Sequence, residues 1–290
     1  MEAGSGALDI FSFWDTGRSN APEAVRRCFD RWEALNPGHR LRVLDGRDLS
    51  ETLSDFPFDL SLLPVQARSD ILRIRLLRRH GGAWVDATVL PVVPLERWVE
   101  RYLGDIGFFA YAGPPAHWRL SNFLILAQPG HSFITALDDA IRGYWTKPRT
   151  LFDVGLQPTW PVGRKRTLRA LVTPKMGRGY LEFHRKWRAD LLYPVSDAGQ
   201  RSGFFPYFWE QLLMMALIRD TPEAQAMLDA MTYRHHELCH GVQTARATLG
   251  PDFPRAVPMS LRCAPVQKLD WRVDWPEEVF ARIPAETVLL

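Results

Sequence analysis

The residues best suited to chemistry lie between positions 69 and 88 of this sequence. Asp86 follows Ala83 to Val85, a short apolar segment with the length and composition of a buried strand. Open α/β sheets place ligand-binding groups at the carboxyl ends of their strands. A carboxylate at such a position suits a hard divalent cation. Asp86 is therefore a candidate ligand for a metal or for a phosphate-linked metal.

A helix precedes that strand and carries a second pair of charged side chains. Apolar residues recur at helical spacing from Val65 to His80, and Gly81 and Gly82 end the pattern. Asp70 and Arg73 fall one turn apart on this helix. As a surface ion pair they would contribute about 0.3 kcal/mol to stability. A role in ligand binding is the alternative.

The elements around this segment predict an α/β protein with a parallel sheet. A strand, a loop, a helix and a second strand follow one another from Leu8 to Leu44, and the helix and strand just described come next. Later apolar segments predict two more strands and a helix. These are Phe108 to Tyr111, Phe123 to Ala127 and Phe133 to Trp145.

The carboxyl-terminal half is expected to elaborate a core formed by residues 8–150, within one domain spanning 1–290. Trp160 to Asp190 is strongly basic and resembles an insertion. Two helices are predicted at Phe208 to Ile218 and Pro222 to Met231, and the proline-rich tail from Pro251 is expected to have little regular structure. The basic stretch is either a solvated face or a contact for a phosphorylated or lipid-linked acceptor at a membrane surface.

Composition narrows the class of protein. The chain has 290 residues, 46% of them hydrophobic, which is enough for a substantial core. No apolar run approaches the roughly 20 residues of a membrane span, and Met1 to Leu8 lacks signal-peptide features, so a soluble cytoplasmic protein is expected. Three cysteines without a close pair suit reduced thiols. No nucleic-acid-binding module is apparent.

The net charge is only +3, but arginine supplies 31 of the 36 cationic residues. Arginine binds phosphate groups bidentately and stays charged, so part of this excess suits a sugar nucleotide or a phosphorylated acceptor. A GC-rich genome is the alternative explanation of the bias.

The central segment resembles the signature of sugar transferases of the capsular polysaccharide synthesis type, which act in polysaccharide biosynthesis. Their relatives include the initiating α-1,6-mannosyltransferases and other glycosyltransferases with a DXD motif. The shared pattern is a Ser-Asp pair, an Arg, a Gly-Gly, an aromatic residue and a final D-x-D or D-A-T. Here it comprises Ser69-Asp70, Arg73, Gly81-Gly82, Trp84 and Asp86-Ala87-Thr88. The resemblance extends to Phe13-Trp14 and, more loosely, to Ser121-Asn122-Phe123 and Gln267-Lys268-Leu269.

The resemblance implies a fold and an activity. The fold is a GT-A-type, Rossmann-like core that binds a nucleotide sugar, followed by a helical and irregular carboxyl-terminal region. The activity is transfer of a hexosyl group from a UDP- or GDP-linked sugar to a hydroxyl acceptor, with retention of configuration. The acceptor is a glycan, a lipid-linked compound, a natural product or a protein. Mn²⁺ or Mg²⁺ is the implied cofactor, with Asp86 and Thr88 as its protein ligands.

The resemblance also assigns roles to individual residues. Asp86 and Arg73 are the predicted catalytic residues. The predicted donor-binding residues are Trp14, Asp70, Arg73, Gly82, Asp86, Thr88, Asn122 and Lys268. Thr88 stands where a second carboxylate is usual, and Gln267 replaces the usual His. Both departures remove a ligand for a metal or a phosphate.

A competing motif lies at His236 to His240, where the sequence matches H-E-x-x-H. On a helix, that spacing presents two imidazoles to zinc, with the Glu as general base. The motif is either such a zinc site, a structural or incidental cluster, or part of an acceptor site. The alternative functions are a zinc-dependent hydrolase using His236, Glu237 and His240 and, independently of this motif, a catalytically silent module that binds a sugar or a nucleotide.

Overall fold

The computed structural model describes residues 7–113, 120–152 and 178–290. A five-stranded sheet with the order β2-β1-β3-β6-β5 lies at its centre. The strands, numbered along the chain, are β1 (Asp9–Phe13), β2 (Arg40–Leu44), β3 (Gly82–Val85), β4 (Val89–Pro91), β5 (Phe108–Ala112), β6 (Leu120–Ala127), β7 (Thr150–Leu151), β8 (Phe204–Phe205) and β9 (Val266–Lys268).

The predicted α/β class is confirmed, but the sheet is mixed rather than parallel. Strands β2, β1 and β3 run parallel, as their helical connections require. Strand β6 pairs antiparallel with β3 and with β5, so the prediction of a parallel sheet is wrong for these two strands. Only seven residues separate β5 from β6, fewer than the dozen or so that a parallel crossover needs, so these two strands pair antiparallel.

Helices cover both faces of the sheet. Eleven α-helices are described: α1 (Glu23–Leu35), α2 (Gly46–Thr52), α3 (Val65–His80), α4 (Val99–Leu103), α5 (Ser132–Tyr144), α6 (Arg178–Ala189), α7 (Asp197–Arg201), α8 (Trp209–Asp220), α9 (Pro222–Ala230), α10 (Gly241–Leu249) and α11 (Phe253–Leu261). The boundaries predicted for the helix before the central strand, Val65 and His80, are those observed.

Alternating side chains of the strands divide the core into two layers. On β1 and β3, Phe11 and Trp84 pack into the layer that contains α3, α5 and α8. Their neighbours Ile10 and Ala83 pack into the opposite layer, which contains α4, α11 and β9. The period of two residues along a strand accounts for this division. Both layers include residues from the carboxyl-terminal half. The single domain spanning 1–290 stays a prediction.

The carboxyl-terminal tail has more regular structure than its prolines predict. Pro254 lies in the first turn of α11, where a missing backbone N–H costs no helical hydrogen bond. Strand β9 then pairs antiparallel with β4, with Lys268 opposite Val89. The prediction of little regular structure beyond Pro251 is therefore wrong, and one of the elements in this tail, β9, carries Lys268.

Most of the predicted basic insertion, Trp160 to Asp190, lies outside the described residues. Its described part contains α6, on which Lys186 forms a surface ion pair with Glu182. Nowhere in ranges 7–113, 120–152 and 178–290 is a helix both long and apolar enough to cross a membrane.

Candidate functional site

A cavity of about 540 Å³ opens beyond the carboxyl ends of β1 and β3. Its walls come from the segments after those strands, from the amino-terminal half of α3 and from the residues that follow β9. Six predicted site residues, from three separated segments, line it: Trp14, Asp70, Arg73, Asp86, Thr88 and Lys268. This convergence is what the carboxyl edge of an α/β sheet is expected to produce.

The Asp86 carboxylate is held on both of its oxygens. Oδ1 accepts hydrogen bonds from Trp84 Nε1 at 3.0 Å and from an Arg73 guanidinium nitrogen at 3.1 Å. Oδ2 accepts from Lys268 Nζ at 2.6 Å. Burial by itself would raise the pKa of the Asp86 carboxyl, but the charges of Lys268 and Arg73 outweigh it and lower that pKa below its ordinary value. Asp86 is therefore a fixed, ionised group.

Arg73 lies at the centre of a buried charge cluster. Its guanidinium contacts Asp70 Oδ1 at 3.0 Å and Asp86 Oδ1 at 3.1 Å, and it also forms an ion pair with Glu210. The same guanidinium lies over the Trp84 ring, 5.1 Å from its centroid. By contacting three carboxylates, Arg73 holds Asp70, Asp86 and Glu210 in position. Its contact with a donor stays a prediction.

Glu210 is a part of the site that the sequence analysis missed. It lies in the first turn of α8, it is fully buried, and its Oε2 accepts a hydrogen bond from Asn122 Nδ2 at 2.7 Å. A carboxylate within the mostly apolar segment 208–218 is a signal that could have identified it, because an ionised side chain is almost never buried without a partner.

Three carboxyl groups surround the single guanidinium of Arg73, and this excess of acidic groups shifts their pKa values. Burial raises the pKa of the Asp70 carboxyl well above its usual value, and the nearby charges of Glu210 and Asp86 add to the rise against the opposing charge of Arg73. Burial also raises the pKa of Glu210. Two carboxylates that share one guanidinium cannot both ionise as readily as each would alone.

Lys268 reaches the site through the pairing of β9 with β4. Leu269 N donates to Thr88 O at 2.8 Å, which fixes the chain at this point. Gln267, the neighbour of Lys268 on β9, is fully buried: it accepts from Val242 N and donates to Leu238 O. Because alternate strand residues face opposite sides, position 267 supports the strand and position 268 faces the cavity.

Aromatic side chains form another part of the wall. Trp14 and Trp271 pack edge to face with ring centroids 5.8 Å apart, and both line the cavity together with Tyr207. Trp271 is 40% exposed, which is unusual for so large an apolar residue. A smaller cavity of about 210 Å³ shares Trp271 and Arg272 as lining residues.

Two predicted donor-binding residues lie outside the lining of the main cavity. Gly82 is at the opposite end of β3 from Asp86, with φ of 91°, and a Cβ there would be 2.3 Å from Asp9 O. Asn122 contacts Glu210 instead. The structure thus gives both residues structural roles, and their contact with a donor stays a prediction.

The ligands predicted for Mn²⁺ or Mg²⁺ fit such an ion poorly. Both oxygens of Asp86 already accept from cationic side chains, and Thr88 is a buried, neutral residue. Mg²⁺ in a phosphate-binding site is usually held by one or two carboxylates together with substrate phosphates, whereas here the single predicted carboxylate is already paired with Arg73 and Lys268. Among the described residues, no group of three or more His, Cys, Asp and Glu could hold a metal ion.

The H-E-x-x-H motif forms a 3-10 helix, His236–His240, rather than an α-helix. His240 Nδ1 lies 2.9 Å from the backbone oxygen of His236, and the two imidazole rings are nearly perpendicular. Burial lowers the pKa of His236 to about 4. The α-helical spacing that would present both imidazoles to one zinc ion is therefore absent at this motif.

Comparison with known proteins gives relatives of one kind. A model of the family described as capsular polysaccharide synthesis protein matches residues 2–156. The O-glycosyltransferase braB of Annulohypoxylon truncatum is 26% identical over 136 residues, which are 42% of this chain and 30% of that protein. Glycosyltransferase afumC of Aspergillus fumigatus (strain CBS 144.89 / FGSC A1163 / CEA10) is 28% identical over 170 residues, 51% of this chain and 41% of that protein. The chain thus spans well under half the length of either relative.

Two solved structures show a weaker likeness. The PaToxG glycosyltransferase is 17% identical with a TM-score of 0.38, over 68% of this chain and 78% of that one. The ligand-free glycosyltransferase domain from the YGT toxin is 10% identical with a TM-score of 0.40, over 79% of each chain.

Proposed function

The chain belongs to the capsular polysaccharide synthesis protein family, and we propose that it is a glycosyltransferase that uses a nucleotide sugar. The observation that carries this proposal is the convergence of Trp14, Asp70, Arg73, Asp86, Thr88 and Lys268 on one cavity. Two relatives with glycosyltransferase names support it. The GT-A type of core belongs to the same proposal.

Each part of a nucleotide sugar finds suitable chemistry in the cavity. The exposed faces of Trp14 and Trp271 suit a nucleoside base, uracil or guanine. Lys268 and Arg272 supply positive charge for the diphosphate. Asp86 and Asp70 suit hydroxyl groups of the hexosyl residue, because carboxyl oxygens accept hydrogen bonds from hydroxyl groups.

The reaction breaks the bond between the anomeric carbon and the diphosphate oxygen and forms one to the acceptor hydroxyl oxygen. Retention of configuration follows if the acceptor attacks from the side that the diphosphate leaves. The acceptor proton then passes to an oxygen of the departing phosphate. Lys268 faces the cavity where it can stabilise charge that develops on this leaving group. No step here passes through a metal ion, because the donors around Asp86 do not fit one.

The acceptor is proposed to enter by the smaller cavity, because Trp271 and Arg272 form a wall of both cavities. The smaller cavity is also lined by Trp275 and Phe280, which suit an apolar or sugar-like ring that carries the acceptor hydroxyl group. The proposed acceptor is a glycan, a lipid-linked compound, a natural product or a protein. A contact between the basic stretch, Trp160 to Asp190, and a membrane surface is also part of the proposal. A cytoplasmic location also stays a prediction.

Donor hydrolysis tests the proposal. UDP- and GDP-linked hexoses are incubated with the wild type and with Asp86→Asn, and the released nucleoside diphosphate is measured. We expect release from one donor, and a loss of at least about 100-fold in Asp86→Asn, in line with removal of a preorganised polar group. Asp139→Asn, at an exposed surface ion pair, is the matched control.

Three outcomes decide between the functions. Equal turnover by wild type and Asp86→Asn would remove Asp86 from the mechanism. Binding of a donor without any release would identify a silent sugar- or nucleotide-binding module. Failure of every donor to bind would contradict the proposed function itself.

A further inference from the structure

We propose that Lys268 takes the position of the divalent cation in this site, so that the diphosphate is neutralised by the protein without a metal. This inference rests on the proposed function and deepens it. It starts from the contact between Lys268 Nζ and Asp86 Oδ2, which are 2.6 Å apart.

The charge balance around Asp86 favours an ammonium group over a metal ion. Arg73 already contacts Oδ1 at 3.1 Å, and Lys268 contacts Oδ2. A divalent cation beside either oxygen would lie within a few ångströms of two positive side chains, and like charges at that distance repel strongly in a partly buried site. The Asp86 carboxylate is thus compensated before any ligand binds.

The second ligand position leads to the same conclusion. Thr88 carries no charge, and its backbone oxygen accepts a hydrogen bond from Leu269 N at 2.8 Å. Three more carboxylates line the cavity, and each has an arginine partner: Asp70 with Arg73 at 3.0 Å, Asp15 with Arg68 at 3.7 Å and Asp270 with Arg272 at 3.7 Å. Every carboxylate of this lining thus has a cationic partner, whereas carboxylate oxygens are the protein ligands that hold a hard cation.

Lys268 has the geometry for this role. Its side chain is 20% exposed and lines the cavity, while the pairing of Lys268 with Val89 fixes its backbone. An ammonium group has three N–H donors, so a contact with Asp86 leaves two for phosphate oxygens. Arg272, four residues further on, lines the same cavity and supplies a second cation for the other phosphate.

Calorimetric titration with UDP and with GDP, in EDTA and in Mn²⁺, tests the inference without relying on turnover. We expect one nucleotide to bind wild type with affinities that differ by less than about threefold between the two conditions. Lys268→Met should weaken binding in EDTA by about tenfold or more, which corresponds to loss of a charge-assisted hydrogen bond. Lys268→Arg should retain most of the affinity.

Mn²⁺ itself is the second probe, followed by its paramagnetic resonance signal. Wild-type protein without nucleotide should leave Mn²⁺ free. Lys268→Met should bind Mn²⁺, because the substitution removes the cation that compensates Asp86, and Mn²⁺ should then restore part of its nucleotide affinity. Lys186→Met, which removes a lysine from a surface ion pair with Glu182, should behave as wild type in both measurements.

Two results would overturn the inference, and they are distinguishable. Nucleotide binding by wild type that requires Mn²⁺ would overturn it while leaving the proposed function intact. Failure of UDP and GDP to bind under every condition would overturn both. Because the wild-type comparison between EDTA and Mn²⁺ is decisive alone, the test does not depend on whether Lys268→Met folds.

Discussion

Arg73 and Glu210 form an ion pair between residues 137 positions apart, and their side chains are 3% and 0% exposed. The pair joins the central helix α3 to α8, in the half of the chain beyond the segment that matches the family. Asp86 and Asp70 contact the same guanidinium. The geometry of the cavity therefore depends on a carboxylate outside the recognised motif.

Removing Glu210 should destabilise the protein. Glu210→Ala leaves the Arg73 guanidinium with one fewer buried counter-ion, and breaking a buried pair in this way typically costs about 3 kcal/mol in the free energy of unfolding. Urea denaturation measures the change. Glu182→Ala, which breaks the exposed pair with Lys186, is the control and should have a far smaller effect. Similar losses of unfolding free energy in the two variants would mean that the buried pair stabilises the fold no more than the exposed pair does.

The part of the site that lies close together in sequence was predictable. Helical periodicity and the Gly-Gly pair fixed both ends of α3, and the apolar segment after them placed Asp86 at a strand end. Local patterns of this kind depend only on the backbone geometry of one element. They placed Asp70 and Arg73 on one helix and Asp86 at the end of the next strand, while the family resemblance assigned all three to one site.

The long-range contacts of the site were not predictable from local patterns. Lys268 depends on the pairing of β9 with β4, in a tail whose prolines suggested irregular structure. Glu210 was included in a helix without recognition of its buried charge. The reversal of β6 against β3 likewise reflects pairing between distant segments. Such pairings are set by packing across the whole fold rather than by the spacing of neighbouring residues.

The stability of the protein should depend on pH through Asp70. Burial raises the pKa of this carboxyl well above its model-peptide value, so the folded chain keeps a proton that the unfolded chain loses. The stabilisation is complete at acid pH and is lost as the pH rises through the raised pKa. The free energy of unfolding of wild type, relative to Asp70→Asn, should therefore fall as the pH rises above about 4, the ordinary pKa of an unfolded Asp.

Asp9 provides the control for this titration. Its hydrogen bonds with Arg40 lower the pKa of its carboxyl, so its titration is nearly complete by about pH 5 in both the folded and the unfolded chain. The difference between wild type and Asp9→Asn should be constant from pH 5 to pH 8. A constant difference for Asp70→Asn as well would show that Asp70 is ionised in the folded protein.

Gly82 should be required for stability. Its φ of 91° disfavours any other residue, and an added Cβ would clash with Asp9 O at 2.3 Å. Gly82→Ala should lower the free energy of unfolding by about 2 kcal/mol or more. Gly143→Ala, inside α5 with no atom within 4 Å of the added Cβ, should instead raise it by about 0.5 kcal/mol. Thermal melting compares the two variants. A tolerated Gly82→Ala would contradict the close strand contact.

The H-E-x-x-H segment should not bind zinc. Its 3-10 conformation and the engagement of His240 Nδ1 with the His236 backbone are unsuited to chelation by both imidazoles. We expect elemental analysis of the purified protein to find no stoichiometric zinc, and His240→Ala to leave the metal content unchanged. Zinc at one equivalent that disappears in His240→Ala would favour the hydrolase over the transferase.

Trp271 should contribute to nucleotide affinity. It packs against Trp14 at 5.8 Å, it is 40% exposed, and it lines both cavities. Stacking of a base on an aromatic side chain is worth about 1–3 kcal/mol, so Trp271→Ala should weaken binding of UDP or GDP about 5-fold to 150-fold. Calorimetry measures this loss, with Tyr233→Ala as the control, since Tyr233 is 62% exposed and is not part of the lining. If nucleotide affinity were unchanged in Trp271→Ala while the KM for an acceptor rose, Trp271 would belong to the acceptor side of the shared wall.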